Sequence, residues 1–164
     1  MPDQKPDIMP ESPVKYIDRT RAYYLSRGFP KPYEWAEHSD TAFVPLQKPL
    51  AQSRLALITT AMPMDTIGKK RKLQIRDRQP APTQLHTDDV AWDKETTHTN
   101  DLGSYFPLAH LLNLVEEKKL GSIADQYYSV PTLFSQQHTS CIDAPEILKS
   151  LQADQVDIAL LVPL

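Results

Sequence analysis

Apolar residues recur along this chain in two rhythms, and each change of rhythm marks an element. Val14, Ile17, Tyr24 and Leu25 keep helical spacing after Ser12-Pro13, a cap and first-turn pair, and Gly28 supplies the stop; this predicts a helix over 14–26. Ser53 to Ala61 is a near-continuous apolar run of strand length. Leu73-Gln74-Ile75-Arg76 alternates as a half-exposed strand does. Leu108, Leu111, Leu112 and Val115 form the stripe of a helix over 107–119, with Lys118-Lys119 at its negative end and Gly121 as its stop. Ser122 to Ser129 predicts one more short helix or strand.

The closing stretch is the most informative. Asp143-Ala144-Pro145-Glu146 has the form of a helix start, with a carboxylate cap, a first-turn proline and a glutamate three residues after the cap. Ala144, Ile147, Leu148 and Leu151 then share one face. Val156 to Val162 follows as a strand apolar enough to be buried on both faces of a parallel sheet, the same sheet as Ser53 to Ala61. Strands alternating with amphipathic helices predict an α/β fold: an open, mostly parallel sheet with flanking helices. Ligands in such sheets sit beyond the carboxyl ends of the strands, where this sequence reaches Pro163-Leu164 and stops. The expectation is a sheet incomplete at its C-terminus.

The order of elements divides the chain into a proline-rich, disordered tail (1–13), an N-terminal helix with an extended proline and aromatic connection (14–52), and an α/β domain (53–164). Phe29 to Trp35 is expected to strap over a core, and Pro45 and Pro49 keep Phe43 to Leu46 from forming a regular strand. Fifteen prolines against four glycines imply rigid connections. The net charge of −3 gives no reason to expect nucleic acid, and no span approaches the ~20 apolar residues that cross a bilayer. The first residues lack the basic-then-apolar order of a signal peptide. Cys141 is the lone cysteine, so no internal disulfide forms and a cytoplasmic location is expected.

Several polar groups stand out against this frame. Thr59 and Thr60 end the first strong strand, where their hydroxyls either bind a ligand or cap the next turn. Gly68-Lys69-Lys70-Arg71-Lys72 is a solvated basic turn or an anion contact. His86-Thr87-Asp88-Asp89 and His98-Thr99-Asn100-Asp101 concentrate imidazoles and carboxylates, which suit a metal, a base with its orienting acid, or loop capping. Their spacing matches no closed metal motif. His98 or Asp101 is a candidate to face substrate, and His110 is expected to be solvated. In the polar loop over 135–141, Cys141 lies three residues from His138 and close to a helix start, a setting for a reactive thiolate or for a small buried hydrophobe.

Read in series, four blocks resemble the glycine/sarcosine/betaine/D-proline reductase selenoprotein B family. They are Asp101-Leu102-Gly103-Ser104-Tyr105-Phe106-Pro107-Leu108, Leu120-Gly121-Ser122-Ile123-Ala124, Asp143-Ala144-Pro145-Glu146-Ile147, and Val156-Asp157-Ile158-Ala159-Leu160-Leu161-Val162-Pro163. The resemblance runs from about residue 53 to the end. It implies an oxidoreductase with a selenol or thiol redox centre and a disulfide as acceptor, including reductive C–N cleavage of a small amine or amino acid. It also implies a thioredoxin-like electron donor and a partner reductase subunit. The selenocysteine is expected immediately after Leu164, so the chain itself holds no cofactor and is inactive as written. A selenolate between strand and helix is favoured by the positive end of the helix dipole, and a nearby cysteine would resolve its adduct. Asp101 matches an acidic position of the family's block. Ala61-Met62-Pro63-Met64 departs from the family's glycine-rich turn, and Gly103 stands where an asparagine is common. Two other classes fit the residues alone. One is a non-catalytic α/β subunit that binds through its proline-rich front and sheet edge. The other is a metal-dependent hydrolase built on His86, Asp88, His98 and Asp101.

Overall fold

A computed structural model describes residues 15–31, 34, 37, 39–41, 43–90 and 98–164. The expected tail, the Ser12-Pro13 cap, Val14 and the Tyr33 and Trp35 parts of the strap lie outside the described residues. The chain divides into two compact units, 1–42 and 43–164. The first contains helix α1 (Tyr16–Ser26), none of whose residues is buried. Gly28 follows it at φ 80°, and its N–H bonds to the Leu25 carbonyl, so the glycine stop forms as its left-handed conformation allows.

The second unit is an α/β fold around a mostly parallel sheet. Its strands are β1 (Arg54–Thr59), β3 (Gln74–Asp77), β5 (Ser122–Ile123), β6 (Gln126–Ser129) and β7 (Ile158–Val162). β7 runs parallel to β1 along its whole length, from Leu55 opposite Ile158 to Thr59 opposite Val162. On the other side of β1, β5 pairs with its first residues and β6 with its last, both parallel, and β3 pairs antiparallel to β6. A separate ladder joins β2 (Met62–Pro63) to β4 (Leu85–His86).

The period-2 alternation of β1 divides the interior into two cores. Leu55 and Leu57 face helix α2 (Leu108–Glu116), where they meet Leu108 and Leu111 together with Tyr127 and Phe106. Ala56 and Ile58 face helix α4 (Ala144–Ala153), where they meet Ile147, Leu151 and Tyr128. Helices therefore flank both faces of β1, which explains its unbroken apolar run. A fully buried side chain such as Leu57 contributes about 1.5–3 kcal/mol.

Three expectations change. β7 reads as apolar as β1, yet among the described residues it is an edge of the sheet and only half-buried, with Leu161 65% exposed. Its Ile158, Leu160 and Val162 pack toward α2, whereas the α4 face at Leu161 is left uncovered. Gly121 is not a helix stop. α2 ends at the Glu117 cap, Lys118 takes the left-handed turn (φ 59°), and Gly121 lies where a Cβ would fall 2.6 Å from the Gln52 carbonyl carbon. Asp143 is not a cap either. Ser135 caps a short turn, α3 (Gln136–His138), by accepting from the His138 N–H, and helical backbone continues through a π-turn (Thr139–Asp143) into α4. Asp143 itself has helical φ and ψ. Pro145 cannot donate to a carbonyl four residues back, and the wider π-turn is a helical route past that missing bond. The stretch over 135–141 is thus largely helix rather than loop. Among the described residues, no helix is long and apolar enough to cross a membrane.

Candidate functional site

Because α4 leaves part of β7 uncovered, a cleft of ≈ 310 Å³ opens at the carboxyl ends of the two parallel strands. Its walls are Ile58, Thr59 and Thr60 from β1 and its exit, Leu161, Val162 and Pro163 from β7, Val130 after β6, and Thr139, Asp143, Ala144, Ile147, Leu148 and Leu151 from the helix. Ala144 and Leu148, expected in the core face of α4, instead form apolar wall, and Leu148 is 55% exposed. The position is the one that open α/β sheets use for ligands.

One carboxylate is set in this apolar lining. Asp143 is 2% exposed. Its Oδ1 lies 3.4 Å from His138 Nε2, while Oδ2 is buried with no hydrogen-bond partner among the described residues. Residues five apart on an α-helix point about 140° away from each other. The π-turn's i→i+5 bonding, seen in the Ala144 N–H to Thr139 carbonyl bond, brings His138 and Asp143 onto one side. A buried carboxylate oxygen without a donor is costly, and it calls for one.

The threonines hold the strand ends. Thr59 Oγ1 donates to the Tyr105 carbonyl (3.2 Å) and accepts from the Ala61 N–H (3.2 Å), which is the capping outcome. Thr60 Oγ1 accepts from the Leu164 N–H at 2.9 Å and so fastens the exit of β7 beside the cleft. Cys141 is free and exposed on the same π-turn, and it does not line the cleft.

Among the described residues of the 85–101 region, no polar side chain lines the cleft. His86 is buried on β4. The Thr66 hydroxyl donates to the Pro63 carbonyl (2.7 Å), so it accepts from His86 Nε2 (2.8 Å), which therefore carries the hydrogen. Nδ1 lies 3.8 Å from Asp88 Oδ2. Asp101 accepts from the Gly103 N–H and caps a turn, while exposed His98 accepts from the Asn100 N–H (3.4 Å). Among the described residues, no three His, Cys, Asp or Glu side chains form a group that could hold a metal ion. The basic run is a surface turn with Gly68 at φ 72°, and Arg71 pairs with Asp89 at 2.7 Å.

At the opposite end of the sheet, an ionic cluster ties the strands together. Arg54 bonds Asp154 at 2.7 and 2.9 Å and Asp125 at 3.2 Å, and its hydrogen bond to Asp154 raises its pKa. The Arg54 N–H donates to Asp157 (2.7 Å), which also pairs with Lys48; this holds the Asp157 carboxyl below the usual carboxylate range. Burial pushes the Tyr105 and Tyr127 hydroxyls up.

Sequence reasoning had missed the His138–Asp143 pair, since Asp143 read as a cap and His138 as a neighbour of Cys141. The available signal was Ser135, an earlier and competent cap ten residues before Pro145. No family model matches the chain, and no curated protein or solved structure matches it either.

Proposed function

We propose that the chain carries the sheet and substrate cleft of a selenoprotein B-like reductase whose redox residue follows Leu164. The observation that supports this most directly is the cleft at the carboxyl end of β7, with Pro163 in its wall. A residue joined to Leu164 stands two Cα steps from Pro163, within about 8 Å. Thr60 holds that exit in place through the Leu164 N–H. A selenol there, with a nearby thiol, would cleave a substrate C–N bond by supplying two electrons and two protons. One proton forms the new C–H bond and the other leaves on the amine. The selenium and sulfur close to a selenenylsulfide, and a thioredoxin-like dithiol reopens it as it is oxidised to its own disulfide.

The test is to read the gene beyond codon 164 and to weigh the protein from its native source. A UGA codon followed by open frame with a nearby cysteine, and a longer product containing selenium, are expected. An ordinary stop codon and a selenium-free product would overturn the proposal. A second reading, a non-catalytic binding subunit, draws on the exposed Phe43 and Val44, which form a groove with Ile158 and Ala159 of β7. That reading would lead under the second outcome.

A further inference from the structure

We propose that the open edge of β7 pairs with the same edge of a second copy of this chain, antiparallel about a two-fold axis at Leu160. Neither reading of the function is needed for it. Leu55 and Thr59 give their carbonyls to the Ala124 and Val130 N–H groups on the β5 and β6 side, so Ala56 and Ile58 are the residues that bond β7. Ala56 lies opposite Ala159 and Ile58 opposite Leu161. In a parallel ladder a residue bonds the two that flank its partner, which here are Ile158, Leu160 and Val162. The N–H and C=O groups of Ala159 and Leu161 therefore point away from β1, where no strand meets them among the described residues. Such an edge is ordinarily blunted by a charge, a proline or a bulge. Ile158–Val162 carries none of these: it is apolar throughout and its register with β1 is unbroken.

What the edge fits is its own copy. Two antiparallel copies with Leu160 on the axis set Ala159 of each opposite Leu161 of the other, and every N–H and C=O group left open on these residues finds a partner. The small side chain faces the large one across each pair, and no charged side chain enters. Other registers lose bonds. Sliding one copy by two residues sets Ala159 against Pro163, which has no N–H to give. The opposite slide sets Leu161 against Asp157, whose N–H already bonds the Arg54 carbonyl. The flanks supply area. Leu148, Leu161 and Leu164 at one end of the strand, and Phe43, Val44 and Leu46 at the other, are 43–87% exposed. Opposite strand directions bring each end of one copy beside the other end of the second. At about 30 Å² per carbon group these side chains offer on the order of 500 Å² per copy, about 1,000 Å² in all, which is where specific contacts begin. Pairing also covers Leu161, the most exposed part of the cleft wall.

The experiment is sedimentation equilibrium of the 164-residue protein at up to about 100 μM, above the micromolar dissociation constant expected of a contact this size. Wild type is expected to approach twice the 18.6 kDa chain mass. Leu161→Lys, at an exposed position, should weaken the dimer at least about tenfold while leaving the circular dichroism unchanged. Register is read by disulfide cross-linking in a Cys141→Ser background. Ala159→Cys mixed with Leu161→Cys should give a linked dimer, because hydrogen-bonded antiparallel partners stand about 5.5 Å apart at Cα. Either variant alone should not, because like positions lie on a diagonal of about 7–8 Å. If Leu161→Lys fails to fold, the cross-linking pattern decides. A wild-type monomer at the highest concentration would overturn the proposal and leave the edge to a foreign strand. So would a dimer that folded Leu161→Lys leaves intact, or a mixture that cross-links no better than the single variants.

Discussion

Replacing Gly121 by alanine tests how the sheet is joined to the segment before β1. An ideal Cβ at Gly121 would lie 2.6 Å from the Gln52 carbonyl carbon and 2.7 Å from both Ser53 N and Ser53 O. Comfortable contacts between carbons are about 3.5–4.0 Å, so the overlap is about 1 Å against three backbone atoms that have no rotamer to change. The two segments are also fastened where they meet. The Gly121 N–H bonds the Leu50 carbonyl and the Ser122 N–H bonds the Ser53 carbonyl, each at 3.1 Å, and Ser53 is fully buried. Forcing them apart should cost about 1–3 kcal/mol in overpacking. A weakened hydrogen bond adds about 1 kcal/mol. At an m-value of about 2 kcal/mol/M, the urea midpoint should fall by at least about 1 M. Gly68→Ala is the control, because Gly68 needs its positive φ (72°) but has nothing within 4 Å of its Cβ position. It should cost only about 1 kcal/mol. Asparagine should be tolerated at 68, where a left-handed residue is required, and should be as damaging as alanine at 121, where space is. Equal midpoints for Gly121→Ala and wild type would refute the close approach.

Other outcomes follow from the charged and aromatic contacts. Folding lowers the Asp157 pKa, so its contribution is present above the ordinary carboxylate value of about 3.9 and disappears as pH falls through the lower folded value. The Tm gap between wild type and Asp157→Asn should therefore be open at neutral pH and close below about pH 4; a gap independent of pH would contradict it. Tyr105 and Tyr127 have raised pKa values, so folding favours their neutral forms up to about pH 10, and stability is lost as pH rises through the folded values. An ultraviolet titration should show them ionising late, together with unfolding, and normal early titration of all seven tyrosines would contradict their burial. Tyr128→Phe removes the 2.8 Å bond from the Tyr128 hydroxyl to Ser150 Oγ and should cost about 0.5–1.5 kcal/mol by urea unfolding, without altering the circular dichroism.

The sequence by itself determined the fold class, the helix that became α2 and the membership of β1 and β7 in one parallel sheet; that the two are direct neighbours came from the structure. Each rests on periodicity or on an apolar run, which local residues carry in full. It also placed Thr59 and Thr60 at the rim where the cleft opens. Only the tertiary structure decided which of two equally apolar strands is central: β1 has partners on both edges and helices on both faces, while β7 has no strand neighbour on one edge among the described residues. The spacing of Asp143, Pro145 and Glu146 is that of a helix start, and nothing local reveals that a helix begun at Ser135 passes Pro145 through a π-turn and buries Asp143. Gly121 likewise carries no mark of Gln52 and Ser53, which lie far off in sequence and are brought against it by the pairing of β1 with β5. Local spacing encodes the conformation that a segment prefers; which groups lose water, and which remain without a partner, depends on segments that meet only when the sheet has formed.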